Sequence, residues 1–314
     1  MLKFILLRIL GFVPTLLLVT ILVFGLITLI PGDPAVALAG ENPTPEQIEL
    51  VRQQLGLDQP IWQQYLTWLW NAVHLDLGTS FYTSQTVWNL IAARIPVTLS
   101  LVLVAIVFAV VVGVVLGTIA AIRPHGIVDR IVIFVATLGT AVPNFWIGLV
   151  LILIFAVQLQ LLPAGGFTPI GESPMEWISH LVLPAAALAT SPAAEIARQT
   201  RGGLLDVLAS DYVRTARAKG MSPVNVVGKQ ALKNTGIVIV TVTGLQISRL
   251  VGGSVVIESV FVIPGVGNLA YQSVFTRDFP VVQGILLVCA VMVLTINLLV
   301  DLSYGYFNPK LRKT

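Results

Sequence analysis

Six long runs of apolar residues limit what this chain can fold into. They cover residues 9–30, 97–122, 131–159, 181–197, 235–257 and 281–300. About 20 apolar residues in a helix cross the hydrocarbon core of a membrane, and a helix satisfies the backbone polar groups of such a segment internally. Charged residues make up 11% of the chain, against about 25% in soluble domains. The sequence therefore predicts an all-α, polytopic membrane protein with six transmembrane helices.

Basic residues are concentrated in alternate connections, and this predicts the orientation of the six helices. Fourteen of the 18 Lys and Arg residues lie in the N-terminus, in residues 123–130, in residues 198–233 and in the C-terminus. Segment 160–180 has none, and segment 258–280 has only Arg277. Cytoplasmic connections of membrane proteins carry such an excess. We therefore predict that both termini lie in the cytoplasm, and we attribute the net charge of +3 to topology rather than to nucleic-acid binding.

The first apolar run also has features of a secretory signal peptide. Lys3 and Arg8 precede it, and Ala37-Leu38-Ala39 fits a cleavage site with small residues. The apolar core of a signal peptide has about 7–15 residues, whereas this run has 22. We therefore expect a first helix that is retained, with cleavage as the alternative.

Residues 31–96, the cap segment, form a connection that is too long for a simple loop. Thr44 and Pro45 are typical of an N-cap and a first helical residue, and Gly56 is expected to end that helix. A second amphipathic piece, residues 62–77, is rich in Trp and Tyr, as are helices at a membrane interface. Two interpretations remain open: a small external cap, and a docking platform for an external partner.

The stretch from Asp211 to Asn234 carries five basic residues between two apolar runs. Residues 211–219 predict a short helix that ends at Gly220, and Ser222 with Pro223 predicts the start of a second helix. Such helices are too polar to enter the membrane and too short to fold alone. Small residues make the first helix slim enough to enter a groove of another protein. The alternative is a basic loop that sets the topology and contacts lipid headgroups.

Patterns of catalytic and metal-ligating residues are absent from the sequence. It lacks the phosphate-binding pattern G-x-x-x-x-G-K-S/T, the zinc pattern H-E-x-x-H, the nucleophile pattern G-x-S-x-G and the redox pair C-x-x-C. The three histidines, His74, His125 and His180, lie on different segments, and Cys289 is the only cysteine. We therefore expect no catalytic residue, no metal site and no disulfide within the chain. Any energy source must then be supplied by another protein.

Residues 211–220, D-Y-V-R-T-A-R-A-K-G, resemble the cytoplasmic "EAA" loop of binding-protein-dependent ABC importer permeases of the dipeptide, oligopeptide and nickel branch. Other motifs agree along nearly the whole chain: P-G-D-P at 31–34, P-A-G-G at 163–166, G-G-S-V-V-I-E at 252–258, F-V-I-P-G-V-G at 261–267, R-D-F-P-V-V-Q-G at 277–284 and N-L-L-V-D at 297–301. Residues 48–60 are most similar to dipeptide and glutathione permeases. The general motif has E-A-A where this chain has Arg214-Thr215-Ala216, so the role of its glutamate is not carried over.

The resemblance implies a type I ABC importer permease fold in three parts. These are a first transmembrane helix at 1–30, the external cap segment at 31–96, and a core permease domain at 97–314 that has five transmembrane helices and a cytoplasmic coupling loop at 206–234. In this family the loop docks in a cleft of an ATPase subunit, which implies these docking residues: Asp211, Tyr212, Arg214, Thr215, Ala216, Arg217, Ala218, Lys219 and Gly220. The candidates for the translocation pathway are Asn144, Gln246, Arg249 and Glu258.

The resemblance also implies partners and a place in the cell. The partners are a second, similar permease subunit, one or two ATPase subunits that bind ATP and Mg, and an external solute-binding protein. The chain itself is then a transport subunit of the bacterial inner membrane that binds no cofactor. Short peptides are the favoured solute, and glutathione, nickel chelates, haem or a sugar derivative are alternatives.

Two rival classes of protein make different demands on the sequence. A secondary transporter needs ion-coupling charges within its spans, for which the main candidates are Glu195, Arg249 and Asp301. An intramembrane enzyme needs a nucleophile and a base, and the sequence brings no such pair together.

Overall fold

The computed structural model describes residues 2–29, 35–36, 39, 43–54 and 56–307, and among these residues the named elements are all helices. The helices before the predicted third span are α1 (Leu2–Leu29), α2 (Pro45–Gln54), α3 (Ile61–Val73), α4 (Val87–Ala92) and α5 (Ile95–Ile122). Next come α6 (Ile127–Ala141), α7 (Asn144–Leu151) with a π-helical continuation (Ile152–Gln158), and α8 (Pro174–Leu208). The last are α9 (Asp211–Ala218), α10 (Pro223–Asn225), a π-helical turn (Val226–Ala231), α11 (Leu232–Val260), α12 (Val266–Thr276) and α13 (Phe279–Phe307). The prediction of an all-α fold is confirmed.

Several of these helices are long and apolar enough to cross a membrane. Counting only the described residues, three stretches qualify by length and composition: Val87–Ile122, Pro223–Val260 and Phe279–Val300. The bent pair Ile127–Ala141 and Asn144–Gln158 makes a fourth if it is one span. A shorter apolar stretch, Leu10–Gly25, lies in α1. The number of six spans and their orientation therefore remain predictions.

The predicted third span, residues 131–159, is broken rather than continuous. The axes of α6 and α7 differ in direction by 103°. Val142 has extended backbone angles, φ −83° and ψ 131°, because a residue before proline is pushed out of the helical region. Pro143 also lacks an N–H group for the helical hydrogen-bond ladder. The chain therefore leaves the direction of α6 at this point, and α7 begins at the next residue, Asn144.

The core is built around α8, which packs against α5, α6, α7 and α11. Two glycines of α5 face the backbone of α8. A Cβ atom at Gly117 would lie 2.5 Å from the carbonyl oxygen of Ala197, and one at Gly113 would lie 2.8 Å from that of Ala193. Small residues let membrane helices approach this closely. The contact therefore holds α5 close against α8 in the half of α8 that leads to the following loop.

The cap segment has structure of its own, as its length predicts. The Thr44 hydroxyl accepts a hydrogen bond from the Gln47 N–H, and the Gln47 side chain accepts one from the Thr44 N–H. This reciprocal pair is a capping box, and Gly56 follows the helix with φ +65°. The second predicted piece, residues 62–77, is shorter than expected, because α3 ends at Val73.

The cap segment is attached to the helical body at several points. The Tyr65 hydroxyl lies 2.9 Å from the Thr20 hydroxyl of α1, and the Phe24 ring packs on the rings of Tyr65 and Trp68. At its far end, the buried carboxylate of Asp278 accepts hydrogen bonds from the Ser80 hydroxyl and the Phe81 N–H. The P-G-D-P motif at 31–34 and the cleavage-site residues 37–38 lie outside the described residues.

Candidate functional site

The candidate coupling loop begins with α9 and turns sharply at Gly220. The Met221 N–H donates to the Ala216 carbonyl at 3.2 Å, and the Gly220 N–H donates to the Arg217 carbonyl at 2.9 Å. These two bonds form a Schellman motif, which requires a left-handed residue after the helix. Gly220 supplies it with φ +79°. The predicted helix end at Gly220 is therefore confirmed.

The second half of the loop differs from the prediction in one respect. Ser222 precedes the helix and Pro223 is its first residue, as expected, but the Ser222 side chain makes no capping hydrogen bond. Its carbonyl oxygen accepts from the Val226 N–H at 3.0 Å instead. The helix also does not stay short, because Pro223–Val260 is one helical stretch that includes α11. The turn at Gly220 is thus joined directly to a span.

One face of the loop is fixed to the body of the protein. Val213 of α9 and Val226 of the π-helical turn are buried. The Asn234 side-chain amide of α11 donates to the Tyr212 hydroxyl at 2.9 Å. Below the loop, Ala121 and Leu204 form a small buried cluster with Ala231. These contacts hold α9 against α8 and α11.

The other face of the loop is exposed and basic. Ala216 is half-buried, and the other candidate docking residues are exposed. These are Asp211, Tyr212, Arg214, Thr215, Arg217, Ala218, Lys219 and Gly220. Among the described residues, the ion pair found in α9 is Arg214–Asp211 at 3.5 Å, with both side chains more than three-quarters exposed. Such exposed pairs are worth about 0–1 kcal/mol. The basic groups are therefore available to a partner.

The four pathway candidates lie in different surroundings, and no hydrogen bond between them is found in the described part of the chain. Asn144 is half-buried at the start of α7, and Gln246 is buried within α11. Arg249 is exposed near the middle of α11. Glu258, near the end of α11, is completely buried. The structure thus does not collect these residues into one cluster.

Glu258 occupies a buried polar network that joins three helices. Its carboxylate accepts from the Thr98 hydroxyl of α5 at 2.8 Å, the Ser254 hydroxyl at 3.0 Å and the Asn268 N–H of α12 at 2.9 Å. The Thr98 hydroxyl oxygen also accepts from the Val266 N–H at 2.9 Å. Burial of a carboxylate costs free energy unless its oxygens are hydrogen-bonded, and here they are. This network offers a structural role for Glu258, so its place in the pathway remains a prediction.

Arg249 is an exposed charged residue within the long apolar helix α11. It interacts electrostatically with Glu195 of α8. The Glu195 carboxylate is itself paired with Arg198 and accepts from the Gln199 side-chain amide. A charged side chain that faces the centre of a bilayer costs about 2.5–3.5 kcal/mol on insertion scales. We therefore expect Arg249 to face water or another subunit rather than lipid.

The structure also shows contacts between residues far apart in the sequence that the sequence did not predict. The Gly166 N–H donates to the Phe261 carbonyl at 2.9 Å, which joins the P-A-G-G and F-V-I-P-G-V-G motifs. Arg201 pairs with Asp129, 72 positions earlier. Asp129 is an acid in the basic segment 123–130, and this was the available signal. The partner of such an acid cannot be read from spacing.

The fold and the loop together define a class of protein, a membrane-embedded helical permease with a basic loop between two of its long helices. The chain belongs to the family described as "binding-protein-dependent transport system inner membrane component". The model of that family matches residues 113–313, and the model of the N-terminal part of the same components matches residues 1–102.

Similar proteins cover nearly the full length of the chain. A putative peptide transport system permease protein of Brucella abortus (strain 2308) is 43% identical over 300 residues, or 96% of each chain. A dipeptide transport system permease protein of Escherichia coli (strain K12) is 39% identical over 336 residues, or 99% of each chain. Inward-facing structures of the MetNI methionine ABC transporter include a chain with a TM-score of 0.57 and 21% identity, covering 70% of this chain and 96% of that one. At this identity the last likeness shows the fold alone.

Membership in this family confirms the resemblance found in the motifs. The protein is a transport subunit of an ABC importer and not an enzyme, and it is a multi-pass protein of the bacterial inner membrane. Its transport system works with an external binding protein and ATPase subunits. The alternatives of a secondary transporter and an intramembrane enzyme are therefore rejected.

Proposed function

We propose that the chain forms, with a second similar permease, the translocation pathway of an ATP-driven importer of short peptides. The assignment of a peptide substrate is supported by relatives that match nearly the whole chain and are named as peptide or dipeptide transport permeases. The proposal that the importer is driven by ATP through a docked ATPase subunit is supported by the coupling loop, which is fixed on one face and is exposed and basic on the other. Glutathione, nickel chelates, haem and sugar derivatives remain the alternative solutes.

The exposed face of α9 is the proposed docking site for an ATPase subunit. Its small side chains, Thr215, Ala216 and Ala218, let the helix approach a groove closely, and its basic side chains, Arg214, Arg217 and Lys219, suit an acidic rim. The buried Val213 and the Tyr212–Asn234 hydrogen bond transmit a displacement of α9 to α8 and α11. One or two ATPase subunits are expected as partners.

The remaining proposed partners are the external solute-binding protein and the nucleotide with its Mg ion. The external solute-binding protein is proposed to meet the cap segment, which is anchored to α1 through Tyr65 and to the start of α13 through Asp278. ATP and Mg are proposed to bind the ATPase subunits, and this chain to hold no cofactor. We therefore expect the purified chain alone to show no ATPase activity above background. Hydrolysis by a preparation free of ATPase subunits would contradict the proposal.

Ligand identification on the cognate binding protein tests the substrate directly. We expect the purified binding protein to retain short peptides, detectable by mass spectrometry after denaturation, and to rebind synthetic dipeptides in calorimetry. Binding of a nickel chelate, haem or a sugar derivative without peptide binding would replace the peptide assignment. It would leave the assignment as a permease unchanged.

Arg249→Leu tests whether the intramembrane charge of α11 faces the pathway. We expect normal membrane levels and reduced uptake, because leucine suits the membrane while the charge that meets solute or partner is lost. The measurement is uptake into vesicles, normalised to the amount of assembled transporter. Arg249→Lys, which keeps the charge, is the matched control and should retain more uptake. Unchanged assembly and uptake in Arg249→Leu would show that this residue serves neither purpose.

A further inference from the structure

A largely buried, bidentate ion pair joins Asp129, near the start of α6, to Arg201 of α8. The Arg201 guanidinium donates to both carboxylate oxygens of Asp129, Nε to Oδ1 at 2.5 Å and Nη2 to Oδ2 at 2.8 Å. The His125 N–H donates to Oδ2 at 2.8 Å. The Asp129 side chain is 3% exposed and that of Arg201 is 21% exposed. Two parallel bonds fix the direction of approach as well as the distance.

The segment of α8 that carries Arg201 is held on its other sides by close packing. Thr200 lies against Gly117 of α5, and Gly203 lies against Thr235 of α11. Leu204 belongs to the buried cluster with Ala121 and Ala231 below the coupling loop. Helix α8 then ends at Leu208, and α9 begins at Asp211. The end of α8 is therefore a rigid support for the loop.

Helix α6 packs along α8 through small and apolar side chains, including the buried Val132 and Ala136. At the far end, a Cβ atom at Gly139 would lie 3.3 Å from the methyl group of Thr190 and 3.4 Å from Cβ of Ala194. Between the helices lies an apolar cavity of 160 Å³, lined from α5, α6 and α8 by residues that include Phe108, Ala136 and Ala197. The ion pair joins α6 to α8 at the end of α6 nearest the coupling loop.

We propose that the Asp129–Arg201 pair positions α6 so that a displacement of the coupling loop is passed to the broken span formed by α6 and α7. This inference rests on the proposed function of the loop. When the loop moves, the end of α8 moves with it. The ion pair then displaces the start of α6, where Asp129 lies, in the same direction. The far end of α6 leads directly to the 103° break at Val142-Pro143. Asp129 and Arg201 are thus positioning residues and not part of the pathway.

The test uses the complete transporter, reconstituted in proteoliposomes with its ATPase subunits and binding protein. The quantity measured is the ratio of ATPase activity with the binding protein to activity without it, per assembled complex. We expect Asp129→Asn to lower this ratio at least about fivefold, the lower end of typical allosteric couplings. Arg201→Lys, which keeps the charge but loses the bidentate geometry, should give an intermediate ratio.

Two further variants separate positioning from a general effect. Asp129→Asn combined with Arg201→Gln should be no worse than either single change, because both remove the same interaction. Arg198→Gln removes the neighbouring, more exposed ion pair with Glu195 and should leave the ratio unchanged. If Asp129→Asn prevents assembly, the ATPase ratio of the Arg201→Lys complex tests the inference instead.

The outcomes distinguish this inference from the proposed function. A wild-type ratio in an assembled Asp129→Asn or Arg201→Lys complex would overturn the inference, and so would an equal fall in Arg198→Gln. If the wild-type chain itself fails to recover ATPase subunits, the proposed docking role of the loop is wrong instead.

Discussion

Gly220→Val is expected to abolish most transport while leaving the chain in the membrane. Gly220 has φ +79°, and nothing lies within 4 Å of a Cβ atom built there, so the cost comes from backbone conformation and not from a clash. A left-handed conformation costs an L-residue about 1–2 kcal/mol, and a β-branched residue adopts it rarely. The variant should therefore lose the turn and move α9 out of its docking position.

The measurements for Gly220→Val are membrane level, recovery of ATPase subunits on purification, and uptake into vesicles. We expect a normal level but about tenfold weaker recovery and uptake, since about 1.4 kcal/mol corresponds to a tenfold change in affinity. Gly220→Asn should be mild, because asparagine tolerates the left-handed region. Gly228→Val is a matched control, since Gly228 is exposed, has open space around it and has no positive φ.

Normal transport by Gly220→Val would contradict the coupling role. The loop would then be only a basic segment that sets the topology, the alternative that the sequence left open. Arg217→Ala is expected to impair transport less than Gly220→Val, because an exposed ion pair is worth about 0–1 kcal/mol.

Glu258→Ala is expected to lower the amount of folded protein rather than only its transport activity. The change leaves the Asn268 N–H and the Thr98 hydroxyl without the carboxylate that accepts from them in a buried site. Each buried group without a partner costs about 1–3 kcal/mol. Because three helices meet at this carboxylate, the end of α11 should separate from α5 and α12.

The measurements for Glu258→Ala are the membrane level and the apparent Tm of the chain in detergent. Glu258→Gln is the matched control, because it keeps the volume and one acceptor oxygen, and it should be affected less. Normal amount and Tm with lost uptake in Glu258→Ala would contradict the structural role. That result would support the original assignment of Glu258 to the translocation pathway.

Local features of the chain were predictable because they depend on neighbouring residues. The turn at Gly220 was predicted because glycine favours the left-handed conformation that ends a helix. The helix at Pro45 was predicted for a similar reason, since Thr44 is typical of an N-cap and Pro45 of a first helical residue. The reciprocal bonds between Thr44 and Gln47 were found only in the structure. The end of α3 was predicted less well, because no strong stop signal lies between Val73 and Leu77.

The break at Pro143 shows where local signals become insufficient. The proline identifies the position of the interruption, since it removes an N–H group and restricts Val142. It does not give the angle of 103°. Membrane helices tolerate proline when neighbours support the freed groups, and α8 contains Pro184 and Pro192 without ending. The difference lies in the packing around each proline.

The sequence by itself determined the all-helical membrane architecture, the basic loop and its turn, and the family. These follow from composition, from apolar run length and from motifs within about ten residues. Only the tertiary structure decided that Glu258 is buried against Thr98 and Asn268, and that Asp129 meets Arg201. Those partners are far apart along the chain and are brought together by helix packing. The sequence states which groups carry charge, whereas packing decides which of them are neutralised inside the protein and which remain free to meet a partner.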